Sequence, residues 1–423
     1  MNSRARRLVL PLGGAVAVSA MIGATMAGTA SAAPLPKGKA DALPMAASST
    51  DAAKVVNWWT ANKGANLVNA KYFDNDAELK KGQFGKTGKI TGTPGGGGSV
   101  PPIGGENSKP SAAAKHVNLP YSVGKVYFEI KGQPYWCSAS SVQSKYRNLV
   151  ATAGHCAYDT DENAAADFWM FVPSSWDATK IEDWFEDGKG KAPFGFYVGR
   201  MLNMHPDYDV FEDYDRDYAF VNVYNGTVPV HGYILKTDES PGGVSGIPAS
   251  EWEKLPADKK ALYEAGIYLA DLGRLGDNVG GSGLAWNQPA KRTYFTFGYP
   301  QGAHPDGDTP FSGRTMKYCY GTSKAMPAAA KFNVQEHIGI KCPMTGGASG
   351  GPWLMNYDQK KRVGYINGVN SLAWDTDGNG RYDHNSSPYF DGETAAVYSY
   401  AANLWTPAIA KELGGRGPSI GTK

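Results

Sequence analysis

Two short glycine-containing motifs hold the residues best suited to nucleophilic chemistry. His155 lies in residues 152–156 (TAGHC), and Ser349 lies in residues 346–352 (GGASGGP). A serine hydroxyl is a weak nucleophile at neutral pH, so it needs a base that accepts its proton and N–H groups that stabilise the oxyanion. An imidazole suits the role of base because its pKa lies near neutrality. The two motifs therefore indicate a serine enzyme.

A carboxylate must orient that imidazole, and Asp217 is the candidate. It alone among the aspartates of its acidic segment directly precedes an apolar run typical of a strand, residues 218–224. Asp217 would hold one ring nitrogen of His155 and fix the tautomer that presents the other to Ser349. The neighbouring aspartates are interpreted as a solvated acidic loop. They are Asp207, Asp209, Asp213 and Asp215.

The remaining histidines and a second glycine-flanked serine lack this context and are interpreted as structural. These residues are His116, His205, His231, His304, His337, His384 and Ser282.

The elements that would position the candidate residues are short strands. β-branched and aromatic residues between Gly, Pro and Asn predict them. The predicted strands cover residues 125–130, 140–142, 149–151, 218–224, 292–297 and 363–369. Helical patterns occur at residues 249–264 and 401–413. Short strands broken by turns, with a late helix, favour an all-β fold built from barrels.

The His, Asp and Ser motifs resemble those of the trypsin/chymotrypsin-fold serine proteases, and more closely the bacterial secreted branch similar to glutamyl endopeptidases. The resemblance rests on residues 136–140 with 151–156, on residues 216–221 and on residues 347–352, and it covers about residues 123–371 loosely.

That resemblance implies two packed six-stranded antiparallel β-barrels with a C-terminal helix. It implies a catalytic triad of His155, Asp217 and Ser349. The N–H groups of Gly347 and Ser349 would form the oxyanion hole, because glycines let the backbone turn its N–H groups inward.

Four cysteines, an even number in an exported chain, predict two disulfides. Sequence alone permits three connectivities. Their order in the chain and the resemblance favour Cys137 with Cys156 and Cys319 with Cys342.

The sequence departs from the family pattern at two positions that affect activation and specificity. Ala348 stands where the trypsin-like branch has an acidic residue that receives the new amino terminus, so removal of a pro-segment would relieve blockage or assist folding. Pro343 stands where a trypsin-like pocket has its carboxylate. Residues 366–371 contain no histidine of the kind that glutamate-specific relatives use. We therefore expect a polar or small side chain to be preferred.

The amino terminus has the features of an export signal. Arginines precede an apolar run and a small-residue cleavage site, which predicts a signal peptide at residues 1–32, by the general route or a twin-arginine route. Residues 33–90 are interpreted as a pro-segment. Residues 91–119 are rich in Gly and Pro and are interpreted as a flexible linker. The protease domain is expected at residues 120–413, and a tail at 414–423.

Composition limits the possible partners. The chain has 42 Lys+Arg against 40 Asp+Glu, a net charge of +2, and no long basic block in its exported part. We expect a secreted monomer that acts on proteins or peptides and binds neither nucleic acid nor membrane.

One loop has a spacing of oxygen ligands that resembles a calcium loop. Asp375, Asp377, Asn379 and Asp383 occupy positions one, three, five and nine, but Ser386 stands at position twelve instead of a bidentate glutamate. A plain Asp/Gly turn is the alternative. We expect that activity requires no cofactor and that calcium, if bound, has a structural role.

Two other functions remain open. An esterase of the α/β-hydrolase type would fit residues 347–351 (GASGG), although that fold needs its Asp and His after the serine. The chain could also be a binding module whose protease-like site has decayed.

Overall fold

The computed structural model of the chain describes residues 40–74, 77–88, 90–91, 96–103, 117–175, 192, 194–229, 254 and 269–409. The predicted signal peptide, nearly all of the predicted helix at 249–264 and the predicted tail lie outside these residues.

Short strands make up most of the described fold. In chain order the strands are β1 (Asp41–Pro44), β2 (Lys71–Tyr72), β3 (Glu78–Lys80), β4 (Gly98–Val100), β5 (Val123–Ile130), β6 (Gln133–Val142), β7 (Leu149–Thr152), β8 (Tyr158–Asp159), β9 (Ala164–Ala165), β10 (Asp167–Pro173), β11 (Tyr197–Met204), β12 (Ala219–Val223), β13 (Gly226–Pro229), β14 (Leu269–Gly273), β15 (Gly283–Trp286), β16 (Thr293–Gly298), β17 (Lys317–Thr322), β18 (Lys324–Ala325), β19 (His337–Lys341), β20 (Pro352–Asp358), β21 (Val363–Val369), β22 (Leu372–Asp375) and β23 (His384–Pro388). All six predicted strands are present, with small differences at their ends.

The described helices are few. They are α1 (Ser49–Asn69), α2 (Pro206–Phe211), α3 (Leu275–Val279) and α4 (Gly392–Ala401), with 3₁₀ turns at Gly154–Cys156, Tyr214–Arg216 and Ala330–Phe332. No helix in the described part of the chain is long and apolar enough to cross a membrane.

The first barrel is a closed ring of six antiparallel strands. Its hydrogen-bonded order is β11, β10, β5, β6, β7 and β12, and β12 pairs with β11 to close the ring. All of the residues of β7 and β12 are buried, as expected for apolar and β-branched side chains that fill a small barrel. The register of β12 on β7 places Ala219 opposite Thr152.

The second barrel is a ring of six strands that belong to two sheets, and the strands that pair within the ring are antiparallel. One sheet contains β17, β16, β20 and β21, and the other contains β19 and β23. The sheets meet where β17 contacts β19 and where β21 contacts β23. A disulfide between Cys319 and Cys342 fastens the first junction, and a hydrogen bond of 2.9 Å from Val369 N–H to Ser387 Oγ crosses the second.

The described residues between 40 and 80 pack on both barrels. β1 pairs with β11, β2 runs parallel to β6, and β3 runs parallel to β22. α1 begins at the cap Ser48, whose hydroxyl accepts the Asp51 N–H, and it buries Trp59 completely against the first barrel. The indole N–H of Trp59 donates to the carbonyl oxygen of Phe168 at 2.6 Å. The described part of the predicted pro-segment is thus packed on the barrels.

Part of the predicted linker is also paired. β4 is antiparallel to β15, with Ser99 opposite Ala285.

The helix near the end of the chain lies earlier than predicted. It covers Gly392–Ala401, and Asp391 and Thr394 form a reciprocal capping box at its start. Pro407 lies inside the predicted range, where it would remove a helical N–H and disfavour helix at the preceding residue. The prediction was wrong for residues 402–408, which are not helical, and residues 410–413 lie outside the described residues.

The described residues form an all-β protein with two six-stranded antiparallel barrels and a C-terminal helix, which confirms the predicted fold class. The alternative of an α/β-hydrolase is wrong, because that fold needs a mostly parallel sheet with helices on both of its faces.

Candidate active site

His155 is held rigidly at the end of a strand of the first barrel. It lies in the 3₁₀ turn Gly154–Cys156 that follows β7, and its side chain is 2% exposed. Cys156 at the end of this turn forms a disulfide with Cys137 of β6. The disulfide closes a loop with a sequence separation of 19, which stabilises the fold by about 3 kcal/mol in the chain-entropy model.

Asp217 lies directly against His155. It ends the 3₁₀ turn Tyr214–Arg216 just before β12, and the pairing of β12 with β7 brings the two residues together. Its Oδ1 accepts the backbone N–H of His155 at 2.9 Å, and its Oδ2 lies 2.9 Å from His155 Nδ1. The carboxylate therefore fixes both the backbone and the ring of His155.

The Asp217 carboxylate is fully buried and is stabilised by its neighbours. Burial raises its pKa, but the charge of His155 and hydrogen bonds from His155 and Ser371 lower it by more, so the pKa lies below its ordinary value. Asp217 therefore stays ionised at neutral pH. An ionised carboxylate at Nδ1 favours the tautomer that carries its proton there and leaves Nε2 free to accept one.

Ser371 is a partner of Asp217 that the sequence did not reveal. It lies between β21 and β22, and its hydroxyl donates to Asp217 Oδ2 at 2.6 Å. Nothing in its local sequence pattern distinguishes it from the other serines of the chain.

The neighbouring aspartates have other partners. Asp209 accepts a hydrogen bond from the Tyr158 hydroxyl, and Asp213 caps the turn Tyr214–Arg216. Asp215 is buried and accepts the N–H groups of residues 335 and 336, and burial raises its pKa to about 6. The interpretation as a solvated loop was therefore wrong for Asp215.

His337 supports the turn that carries Asp217. Its Nε2 lies 2.8 Å from the carbonyl oxygen of Tyr214, and its Nδ1 lies 2.9 Å from the hydroxyl of Ser386. Burial lowers the pKa of His337 to about 4, so the ring is neutral and Nε2 donates to the carbonyl. This histidine is structural, as the sequence indicated.

The other described histidines also bond away from Ser349. His205 and His304 accept backbone N–H groups, and His384 pairs with Asp383. His116 and His231 lie outside the described residues.

Ser349 lies in a tight turn between β19 and β20, and this turn requires glycine at two positions. Gly347 has φ +93°, and a Cβ there would lie 2.6 Å from the Trp136 ring. Gly350 has φ +80°, and a Cβ there would lie 2.1 Å from Thr152 Oγ1. Because Thr152 is the last residue of β7, this close approach places the Ser349 turn beside the strand that leads to His155.

Ser138 of β6 holds the Ser349 turn against the first barrel. Its N–H donates to the carbonyl oxygen of Ser349 at 2.8 Å, and its hydroxyl donates to the carbonyl oxygen of Gly347 at 2.8 Å. The same hydroxyl accepts the N–H of Tyr299 at 2.9 Å. Ser138 therefore joins the two barrels at the candidate nucleophile, a role that its sequence context does not signal.

The donors and acceptors that a serine mechanism needs remain available. Among the described residues, His155 Nε2 has no hydrogen-bond partner, and the N–H groups of Gly347 and Ser349 donate to no other residue. The hydrogen bond between Nε2 and the Ser349 hydroxyl is therefore not formed in this structure. Such bonds are often long without substrate and shorten in the reacting complex.

A crossing segment, of which residues 71–74 and 77–80 are described, lies in front of these groups. The Phe73 ring stacks on the His155 imidazole, with 6.3 Å between centroids, and Tyr214 stacks on the imidazole at 6.2 Å. The Phe73 N–H donates to the Trp136 carbonyl oxygen at 2.9 Å. Further along, Ala77 accepts the N–H of Ala373 at 3.2 Å, where β3 begins to follow β22.

The predicted calcium ligands serve the loop itself. Asp375 accepts the N–H groups of Gly378, Asn379 and Gly380, and the other loop oxygens accept further loop donors. Within the described residues, the three aspartates do not bring ligand oxygens within 4.8 Å of one another. Calcium binding stays a prediction, which fails if a chelator leaves the melting temperature unchanged.

No family model and no curated protein match the sequence. Among solved structures, the chain is similar to the protease Anisep from Arthrobacter nicotinovorans, with 25% identity and a TM-score of 0.46, covering 68% of this chain and 98% of that one.

It is also similar to a thermostable serine protease, AL20, from an extremophilic microorganism, with 24% identity and a TM-score of 0.47, covering 67% and 98% of the two chains. A third is a Glu endopeptidase in complex with MPD, with 14% identity and a TM-score of 0.41, covering 69% and 95%.

All three TM-scores lie below 0.5, so the fold assignment rests on the strand topology described above. The chain has the chymotrypsin-like double-barrel fold, and proteases are among the solved structures to which it is similar.

Proposed function

We propose that this protein is a secreted serine endopeptidase that hydrolyses peptide bonds through an acyl-enzyme. One observation carries the proposal. A buried Asp217 fixes the His155 ring through Nδ1 and leaves Nε2 without a partner among the described residues, beside a glycine-built turn that carries Ser349. This is the arrangement that lets an imidazole act as a general base for an alcohol.

The reaction would proceed in two halves. His155 Nε2 takes the Ser349 proton as Oγ attacks the peptide carbonyl, and the N–H groups of Gly347 and Ser349 stabilise the oxyanion. The protonated imidazole gives its proton to the leaving amine, which departs as the C–N bond breaks. Water then attacks the acyl-enzyme with the same base and releases the acid and the free Ser349.

Secretion is supported by the amino-terminal pattern and by the cysteines. Residues 1–32 have the order of charge and apolar side chains that export requires, although they lie outside the described residues. All four cysteines are paired in the structure, which suits an oxidising compartment.

We further propose that the chain is made as a zymogen that its own residues 71–80 keep latent. Phe73 covers one face of the catalytic imidazole. Tyr72 covers the turn before the nucleophile, since a Cβ on Gly346 would lie 2.8 Å from the Tyr72 ring. A substrate cannot occupy this part of the groove while the segment lies there.

The direction of the segment supports inhibition over self-cleavage. β22 begins next to Ser371, which bonds to Asp217, and it runs away from the triad. The part of a substrate before the cleaved bond ends at Ser349. If this part pairs with β22, which runs away from the triad, it must run antiparallel to β22. β3 runs parallel to β22, with Glu78 opposite Ala373. The segment is therefore not presented as a substrate on this edge.

The experiment that tests the function uses the protein recovered from the medium of a host that expresses the full chain. Casein hydrolysis, absent in Ser349→Ala, is the expected result. A protein that cleaves a short ester but neither casein nor peptides would contradict an endopeptidase. A folded protein from which the pro-segment has been removed and which cleaves neither substrate would favour the decayed binding module.

A further inference from the structure

A small cavity lies beside Ser349. It is enclosed between the second barrel and the crossing segment of the predicted pro-segment, described at residues 71–74 and 77–80. Its volume is about 20 Å³, which is room for about one water molecule. Phe73, Asp74, Ala77 and Glu78 form one side of it. The other side, which we call the permanent wall because it does not belong to the predicted pro-segment, consists of Thr345, Gly346, Ala348, Ser349, Asn370, Ser371, Leu372, Ala373 and Asn385. A substrate side chain can therefore enter only after the crossing segment leaves.

The side chains of Asn370 and Ser371 in this wall already form hydrogen bonds within the protein. The Ser371 hydroxyl donates to Asp217. Asn370 Oδ1 accepts hydrogen bonds from Thr296 Oγ1 at 3.0 Å and from Trp353 Nε1 at 2.8 Å. Asn370 Nδ2 donates to the carbonyl oxygen of Ala348 at 3.2 Å. These bonds make Asn370 a structural part of the wall.

Two buried polar atoms of the same wall have no partner among the described residues. They are Thr345 Oγ1 and Asn385 Oδ1, on side chains that are 3% and 4% exposed. The orientation of the Asn385 amide is fixed, because its Nδ2 donates to the carbonyl oxygen of Met344 at 2.9 Å. Asn385 therefore presents an acceptor, and Thr345 presents a hydroxyl that can donate.

Buried polar groups without partners are unfavourable, so a ligand that pairs both atoms gains binding free energy. None of the permanent wall residues is charged. We propose that this pocket selects substrates with a carboxamide side chain, glutamine or asparagine, on the acyl side of the cleaved bond. This proposal rests on the proposed protease function.

The chemistry of the two atoms discriminates between side chains. A carboxamide N–H donates to Asn385 Oδ1 while the carboxamide oxygen accepts from the Thr345 hydroxyl. A carboxylate has no donor for Asn385 and would bring its negative charge to an acceptor oxygen. An aliphatic side chain leaves both atoms unpaired, and an ammonium group finds no carboxylate in the permanent wall.

The test compares peptide substrates that differ only in the residue before the cleaved bond, which is Gln, Asn, Glu, Leu or Lys. With processed wild-type protein, we expect the better carboxamide substrate to exceed Glu, Leu and Lys at least tenfold in kcat/KM. Asn385→Leu should reduce the ratio of Gln to Leu cleavage at least tenfold. Thr345→Val, which keeps the shape of the side chain, should reduce it to a lesser degree.

The rate at which a small phosphonylating probe labels Ser349 keeps the outcomes distinguishable. If wild type is labelled but prefers Glu, Leu or Lys, the pocket proposal is overturned and the proposed function stands. If wild type is neither labelled nor active on any peptide, both are overturned. If Asn385→Leu fails to fold and is not labelled, Thr345→Val decides, and an unchanged Gln to Leu ratio in that variant overturns the proposal.

Discussion

The aromatic ring of Phe73 lies against the imidazole of His155, with 6.3 Å between ring centroids and 27° between ring planes. The contact joins the predicted pro-segment to the candidate base. In the proposed zymogen, this contact would keep the uncleaved chain latent without any change in the candidate catalytic residues.

Removal of this ring should release part of the latency. Phe73→Ala loses the partial burial of an aromatic side chain, about 1.4 kcal/mol, so the uncleaved chain should label with a serine probe roughly tenfold faster. Phe84→Ala is the matched control, because Phe84 also lies in the predicted pro-segment but packs on Trp374, with 5.4 Å between ring centroids. Mass spectrometry verifies that the chain is intact. Equal labelling rates in the two variants would rule out a latching role for Phe73.

Asp217→Asn should inactivate the processed enzyme without unfolding it. An amide at this position no longer secures the required tautomer of His155, and kcat should fall about 10⁴-fold. Asp213→Asn is the control, since asparagine also caps the turn Tyr214–Arg216 and should preserve activity. Peptide hydrolysis at pH 7.5 measures both. A similar loss in the two variants would indicate that the acidic segment acts only through the fold.

Ser371→Ala should make the protein more sensitive to acid. The folded pKa of Asp217 lies below its ordinary value of 3.8, so the carboxylate contributes stability that is present above that value and is lost as pH falls through the folded pKa. Loss of the Ser371 hydrogen bond raises the folded pKa and moves acid unfolding to a higher pH. At neutral pH, Ser371→Ala should reduce the free energy of unfolding by about 2 kcal/mol, the typical contribution of a hydrogen bond to a charged group.

The measurement is urea unfolding between pH 2 and pH 7 in a Ser349→Ala background, which prevents self-digestion. Ser141→Ala is the control, because the Ser141 hydroxyl donates to the neutral carbonyl oxygen of Gly280 at 2.8 Å. Ser141→Ala should reduce the free energy of unfolding by a smaller amount, and this reduction should not vary with pH. If Ser371→Ala behaves in the same way as this control, the hydroxyl does not stabilise the Asp217 charge.

Gly350→Ala should disrupt the nucleophile turn. A Cβ there would lie 2.1 Å from Thr152 Oγ1 and 2.2 Å from the carbonyl oxygen of Ser138. Gly307→Ala is the control for backbone strain alone. Gly307 also has a positive φ, +90°, but no neighbouring atom of the described residues lies within 4 Å of its Cβ position, so this variant has the strain without the clash. The control should lose about 1 to 2 kcal/mol, and Gly350→Ala should lose more and also lose probe labelling. A labelled, stable Gly350→Ala protein would contradict the geometry of the turn.

The local patterns of the sequence predicted the strands and the three candidate catalytic residues, because each has a signal within a few positions. Asp217 was distinguished from its neighbours by the apolar strand that follows it, and in the structure it is the one that contacts the His155 ring nitrogen. The disulfide partners followed from the resemblance and are paired as expected.

The missed features depend on contacts between residues that are distant in the sequence. Ser138 binds the turn at Gly347 across 209 positions, and Ser371 binds Asp217 across 154 positions. No local pattern marks such partners. The unpaired atoms of Thr345 and Asn385 became visible only once the surrounding hydrogen bonds were known, since pairing is a property of the whole environment.

We propose that His155 and Asp217 activate Ser349 as a nucleophile. A fluorophosphonate probe, followed by digestion and mass spectrometry, measures this activation directly in the processed protein. We predict a phosphonyl adduct on Ser349 in wild type, no adduct in Ser349→Ala, and labelling slowed by several orders of magnitude in His155→Ala. Folded, processed wild-type protein without an adduct on Ser349 would contradict it.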